Sequence, residues 1–213
     1  MGHQGRVMKN ILSLLLLLVV VNVEASLIPE PPSSCFKGKS RCSSVKIVKK
    51  AGVKRVAIDL FARVSKEKFS SVDEISQRYL AFENWPKYVR GSGSVKFRTS
   101  RTSEVSGQFA AHYFDYKIKA PWPVRWARLK GTTVYQPTEV EGAEVSFSFN
   151  LDKSQSYDGL TAYDGKIYVV DAFEDSYLVI FKSEIAPSMQ IGLSFAKSHI
   201  KRSVDAIFNG MFQ

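Results

Sequence analysis

The chain of 213 residues is 45% hydrophobic, 12% aromatic and 23% charged, which gives apolar material for one globular unit or barely two and excludes disorder, collagen and coiled coil. Lys and Arg number 30 against 20 Asp and Glu, a net charge of +10 that raises nucleic acid or an anionic membrane as partners. The one dense basic stretch, Lys46 to Arg55, carries no aromatic residue to stack on a base and reads as a solvated surface, so nucleic acid is not expected.

Residues 1–9 hold Arg6 and Lys9 without an acid, Ile11 to Val21 is almost purely Leu and Val, and Val23 and Ala25 are suited to a signal peptidase. This predicts a signal peptide over 1–25 and a secreted or periplasmic location; the apolar run is shorter than the roughly 20 residues of a spanning helix. Its removal takes Arg6, Lys9 and Glu24 and leaves the net charge at +9, so the basic character belongs to the mature chain. Cys35 and Cys42 then reach an oxidising compartment, and their spacing predicts a structural disulfide. A redox pair would have two intervening residues, and a zinc site would need further ligands.

Residues 26–52, rich in Pro, Ser, Gly and Lys, read as an extended arm, with the folded domain over 53–213. Ile58, Leu60, Ala62 and Val64 alternate with Asp59 and Arg63, the pattern of a half-buried strand. From Ser71 the period becomes helical through Ile75, Tyr79 and Phe82, and Pro86 divides this stretch into two short helices. Strands are predicted near 95–100, 107–119, 125–135, 143–150, 166–173 and 177–184, with Glu141-Gly142, Asp164-Gly165 and Glu174-Asp175 as turns. After Pro187, residues Ile191, Phe195, Ile200, Val204, Ile207, Phe208 and Met211 line one face of a long closing helix. Together these elements predict an α+β fold in which an antiparallel sheet packs against that helix.

Two motifs sharpen this reading. Tyr79-Leu80-Ala81-Phe82-Glu83-Asn84-Trp85-Pro86-Lys87-Tyr88 after the first strand, and Ala120-Pro121-Trp122-Pro123-Val124 in mid-sheet, resemble the START-like superfamily of helix-grip proteins, which includes polyketide cyclases and bacterial lipid-binding proteins. The resemblance covers residues 53–213. It implies a curved seven-stranded sheet wrapped around the C-terminal helix, with a cavity for an apolar or amphipathic molecule between them. After Pro-Trp-Pro-Val the family has an acidic, Arg-containing run; here Arg125-Trp126-Ala127-Arg128 lacks the acids, so any role of that cluster does not carry over.

The large rings on the predicted strands supply the expected cavity lining: Phe114, Tyr116, Phe147, Phe149, Tyr168 and Phe181, with Phe195 from the helix and Trp122 and Trp126 at a rim. His112 shares a strand face with Phe114 and Tyr116 and reads as a core or headgroup-binding histidine, whereas His199, beside lysines, reads as solvated. No nucleophile elbow, zinc helix, P-loop or dinucleotide fingerprint is present. The expectation is a monomeric carrier of a hydrophobic small molecule, without a cofactor. One alternative is a cyclase- or hydrolase-type enzyme using His112 and Tyr116 as acid and base. The other is a basic module that binds anionic lipids or envelope polymers through Lys46 to Arg55.

Overall fold

A computed structural model describes residues 27–89, 93, 95–105, 109–119, 125–188 and 193–212, apart from the side chains of 103–105, 109 and 193–196. The predicted signal peptide, the Pro121–Val124 motif with Trp122, and the Phe195 side chain lie outside this description.

Eight strands form one antiparallel sheet: β1 (Arg41–Lys50), β2 (Val53–Ser65), β3 (Val95–Val105), β4 (Phe109–Lys119), β5 (Trp126–Pro137), β6 (Val145–Leu151), β7 (Leu160–Val170) and β8 (Ser176–Pro187). Their spatial order is β1-β2-β8-β7-β6-β5-β4-β3. Between β2 and β3 lie α1 (Val72–Leu80), a 3-10 turn (Phe82–Asn84) and α2 (Trp85–Tyr88), and the chain closes with α3 (Leu193–Phe212). The expected two short helices and long closing helix are all present.

The sheet has eight strands, not the seven expected. The additional strand is β1, which occupies much of the stretch read as an arm. It pairs with β2 through the two-residue turn Ala51-Gly52, in which both residues have positive φ, 48° and 81°. That geometry matches the twist of a tight hairpin. Its usual signature is Asn-Gly or Asp-Gly, and alanine in the first position hides it. As an edge strand, β1 also buries only Val45 below a tenth of its surface, so it shows little alternation.

A second difference lies at Asp164-Gly165, expected as a turn but found inside β7. Gly165 pairs with Phe149 on β6, and a Cβ there would stand 2.2 Å from the Lys182 carbonyl oxygen and 2.6 Å from the Phe149 ring. The glycine gives that ring a seat in the sheet.

The helices start where their chemistry requires. Ser71 caps α1 by accepting from the Glu74 amide at 3.2 Å, and the Glu74 carboxylate accepts from the Ser70 amide at 2.9 Å. The inner face of the sheet carries Val56, Ile58, Leu60 and Val64 of β2 against the helices, all within 1% of full burial. On the outer face, the segment from Ile28 to Phe36 lies over Phe61, Tyr168, Leu178 and Ile180. The Cys35–Cys42 disulfide ties this segment to β1.

Candidate functional site

The space between the inner face and α3 has two unlike halves. Toward the C-terminal end of α3, rings interlock: Tyr135 stacks on Phe149 at 5.1 Å, Phe149 on Phe181 at 5.8 Å, Phe181 meets Phe208 at 5.2 Å, and Phe208 meets Phe212 at 5.6 Å. Tyr79 closes the cluster, its hydroxyl 3.4 Å from that of Tyr135. None of these rings keeps more than 7% of its surface.

Toward the middle of α3 the walls stand apart around a cavity of about 40 Å³. Strand residues Phe97, Phe114, Tyr116, Tyr163 and Ile185 form one wall, and Ile200, Val204 and Ile207 of α3 the other. Phe97, Tyr116, Tyr163, Val204 and Ile207 point inward yet remain only half-buried.

His112 and Trp85 stand at the border of the two halves. The imidazole stacks flat on Phe82, with centroids 4.2 Å apart and planes 6° from parallel, and contacts Trp85 at 4.9 Å. The Trp85 indole N–H donates to the Tyr79 carbonyl at 2.9 Å. Ser100 donates its hydroxyl proton to the Phe82 carbonyl at 2.5 Å and lies 2.8 Å from His112 Nε2. The hydroxyl has one proton, so Nε2–H donates to Ser100 Oγ, and this fixes the tautomer. Complete burial lowers the His112 pKa to about 3, so the ring is neutral at pH 7. Burial raises the phenols of Tyr79, Tyr116 and Tyr163, and pushes Tyr135 up to about 12. Ser203 donates to the His199 carbonyl at 2.9 Å, so its proton is held within the helix.

Of the residues expected to line a cavity, His112, Phe114 and Tyr116 do so. Phe149 and Phe181 share that face but belong to the closed half, and Phe147 is half-buried beyond it. Three expectations are corrected. Trp126 precedes Ala127, Leu129 and Tyr135 in the opposite phase; it lies on the outer face, where the Lys96 ammonium sits 4.5 Å from its ring. Tyr168 is also on the outer face, beneath the N-terminal segment. His199, expected in solvent, is 6% exposed, and its pKa is lowered by burial and by the Arg202 and Lys119 cations. Sequence reasoning missed Phe97 and Tyr163. Alternation from Val95 marks Phe97, whereas Tyr163 was hidden by the supposed turn at Asp164-Gly165.

The outer face holds ion pairs. Arg128 donates from Nε and NH2 to the two oxygens of Asp115 on the neighbouring strand at 3.0 and 2.6 Å. This hydrogen-bonded pairing lowers the Asp115 pKa. Arg55 bridges Asp164 at 2.8 Å and Glu184 at 3.2 Å. Among the described residues, no group of His, Cys, Asp or Glu is placed to hold a metal ion, and no helix is long and apolar enough to cross a membrane.

No protein-family model matches the chain, and no curated protein matches it in sequence. Solved structures do. The STAR-related lipid transfer protein of Xanthomonas axonopodis, residues 25–204, superposes with a TM-score of 0.57 at 12% identity over 79% of this chain and 96% of that one. Zhui aromatase/cyclase of Streptomyces sp. R1128 gives 0.49 at 5% identity over 74% and 92%, and human STARD10 gives 0.47 at 10% over 86% and 82%. The likeness is one of fold: the chain has the START-like helix-grip architecture that its motifs implied.

Proposed function

We propose that this START-like chain binds an apolar or amphipathic small molecule, of the lipid, quinone or polyketide-like class, between the open half of the sheet and α3, in a secreted or periplasmic setting. The supporting observation is the set of inward-facing side chains, Phe97, Tyr116 and Tyr163 opposite Val204 and Ile207, that stay half-buried around a cavity. Side chains that border a void forfeit dispersion contacts there, so an occupant that fills it gains them, together with about 25 cal/mol per Å² of apolar surface removed from water. The Xanthomonas protein of the same fold is named for lipid transfer, which agrees with this class of guest.

The cavity of about 40 Å³ holds a water or two, whereas pockets for small molecules run to roughly 300–1,000 Å³. A larger guest therefore requires the middle of α3 to swing away from the sheet. The far end of the helix can stay seated, because Phe208, Met211 and Phe212 are locked in the closed half. His112, Tyr116 and Tyr163 supply polar atoms on the sheet side.

Reading the same interior as a cyclase or hydrolase would call on His112 and Tyr116 as acid and base. With the imidazole near pKa 3 and the phenol raised, neither exchanges a proton readily at pH 7, and binding is the better supported reading. Native mass spectrometry of the protein from its own host, followed by organic extraction, tests it. An apolar molecule bound one to one is expected. The bare polypeptide mass, together with no uptake of fluorescent fatty acids or quinones, overturns the reading.

A further inference from the structure

We infer that the β1–β2 hairpin is a membrane-docking element that holds the protein on an anionic lipid bilayer. The large apolar side chains with substantial exposure among the described residues are Leu27, Ile47, Val53 and Tyr157, and two of them flank this one turn: Ile47 at 42% and Val53 at 47%. Around them stand Lys46, Lys49 and Lys54, all exposed and without an ion pair among the described residues, while Arg55 and Lys50 are held by Asp164 and Glu184. Aliphatic side chains interleaved with unpaired lysines suit a bilayer interface. Ile47 and Val53 lie on opposite faces of the hairpin, so it enters the headgroup boundary edge-on with one branched chain on each side, and the lysine stems lie along it with their ammonium groups on lipid phosphates. A soluble polyanion would engage the lysines and gain nothing from Ile47 or Val53.

The hairpin is also built to project. Its turn is two residues, and the pairs Val48–Arg55, Lys49–Lys54 and Lys50–Val53 extend past Val56, the buried residue of β2 nearest the turn, which pairs with both Ile47 and Ile185 and so sets Ile47 at the base of the projection. Ile185 lines the cavity. Ser43 of β1 accepts from Lys201 at 2.6 Å, and Arg41 donates to the Asp205 carbonyl at 3.5 Å, so β1 runs antiparallel to α3 and its tip points the way of the helix N-terminus. A bilayer beneath the tip therefore faces the cavity end of the molecule. The docking itself does not depend on the interior holding a guest, so either idea can fail alone.

Flotation of the whole mature protein with phosphatidylcholine vesicles, with and without phosphatidylglycerol, tests the inference. Binding to the anionic vesicles alone, falling when salt is raised from about 0.1 to about 1 M, is expected. Each of Lys46→Gln, Lys49→Gln and Lys54→Gln should weaken it about fivefold, and Ile47→Asn with Val53→Asn should abolish it, while Lys87→Gln on α2 leaves it intact. All five changed hairpin residues are exposed, and unaltered thermal melting shows that each variant is folded. Equal binding to neutral vesicles, or anionic binding indifferent to Ile47 and Val53, overturns the inference; the latter, with equal binding to a soluble polyanion, reassigns the lysines to envelope polymers.

Discussion

The two halves of the α3–sheet interface are made of the same materials and differ in closure. At the C-terminal half, rings from β5, β6 and β8 stack in sequence onto Phe208 and Phe212, and almost no surface is left. On the adjoining stripe of the helix, Ile200, Val204 and Ile207 face Phe97, Tyr116 and Tyr163 across a gap. The difference separates a closed from an open stretch along a single helix: one half fixes α3, and the other leaves apolar surface uncovered.

Adjacent residues of α3 give the most forceful test of this contrast. Phe208→Ala should cost about 3–5 kcal/mol, because a filled site cannot collapse, whereas Ile207→Ala next to the gap should cost about 1–2 kcal/mol. Urea denaturation of the two variants measures both, and equal losses would erase the distinction.

The border is testable by pH. His112 titrates near 3 when folded against an ordinary 6.5, so between these values the unfolded chain binds more protons and stability falls as pH falls. The slope is about 1.4 kcal/mol per pH unit, or about 2–3 kcal/mol lost by pH 4.5. In His112→Gln this part of the pH dependence should vanish, and parallel stability–pH curves for the two proteins would refute the buried neutral assignment.

Gly165→Ala probes the seat of Phe149 in the closed half. The new methyl group meets the Lys182 carbonyl and the ring, and a loss of about 1–3 kcal/mol is expected from thermal melting. Smallest is the effect of filling the gap: Val204→Leu should change stability by less than about 1 kcal/mol. The same substitution should reduce uptake of a fluorescent fatty acid, and undiminished uptake would place the guest elsewhere.

Much of the architecture was legible because its determinants are local. Alternation in β2, the start of α1 after Ser71, the short helix that Pro86 opens and the apolar stripe of α3 each follow from neighbouring residues, although Pro86 lies within the second helix and the break falls before it. β1 was illegible because an edge strand needs little burial and its turn lacks Asn or Asp. The site was legible in part. His112, Phe114 and Tyr116 share a phase on β4, but Tyr168 could not be phased. Where the N-terminal segment covers the outer face, β7 and β8 are buried on both sides, as in the run Ser176–Phe181, and alternation disappears. Which rings meet across the interior depends on register and on Gly165, which pairwise sequence spacing does not encode.

The Cys35–Cys42 bond is expected to couple self-association of this protein to its redox surroundings. The segment it fastens shields Phe61, Tyr168, Leu178 and Ile180, each at most 6% exposed. Reduction leaves that shield held by side-chain packing and by its run into β1, where the Ser40 carbonyl accepts from the Arg63 amide at 2.7 Å. Its departure would uncover a contiguous apolar patch on an otherwise folded sheet, a surface that invites self-association. Thiol reductants should therefore turn a single species into assemblies, visible by light scattering, before the domain melts, and oxidising storage should prevent it.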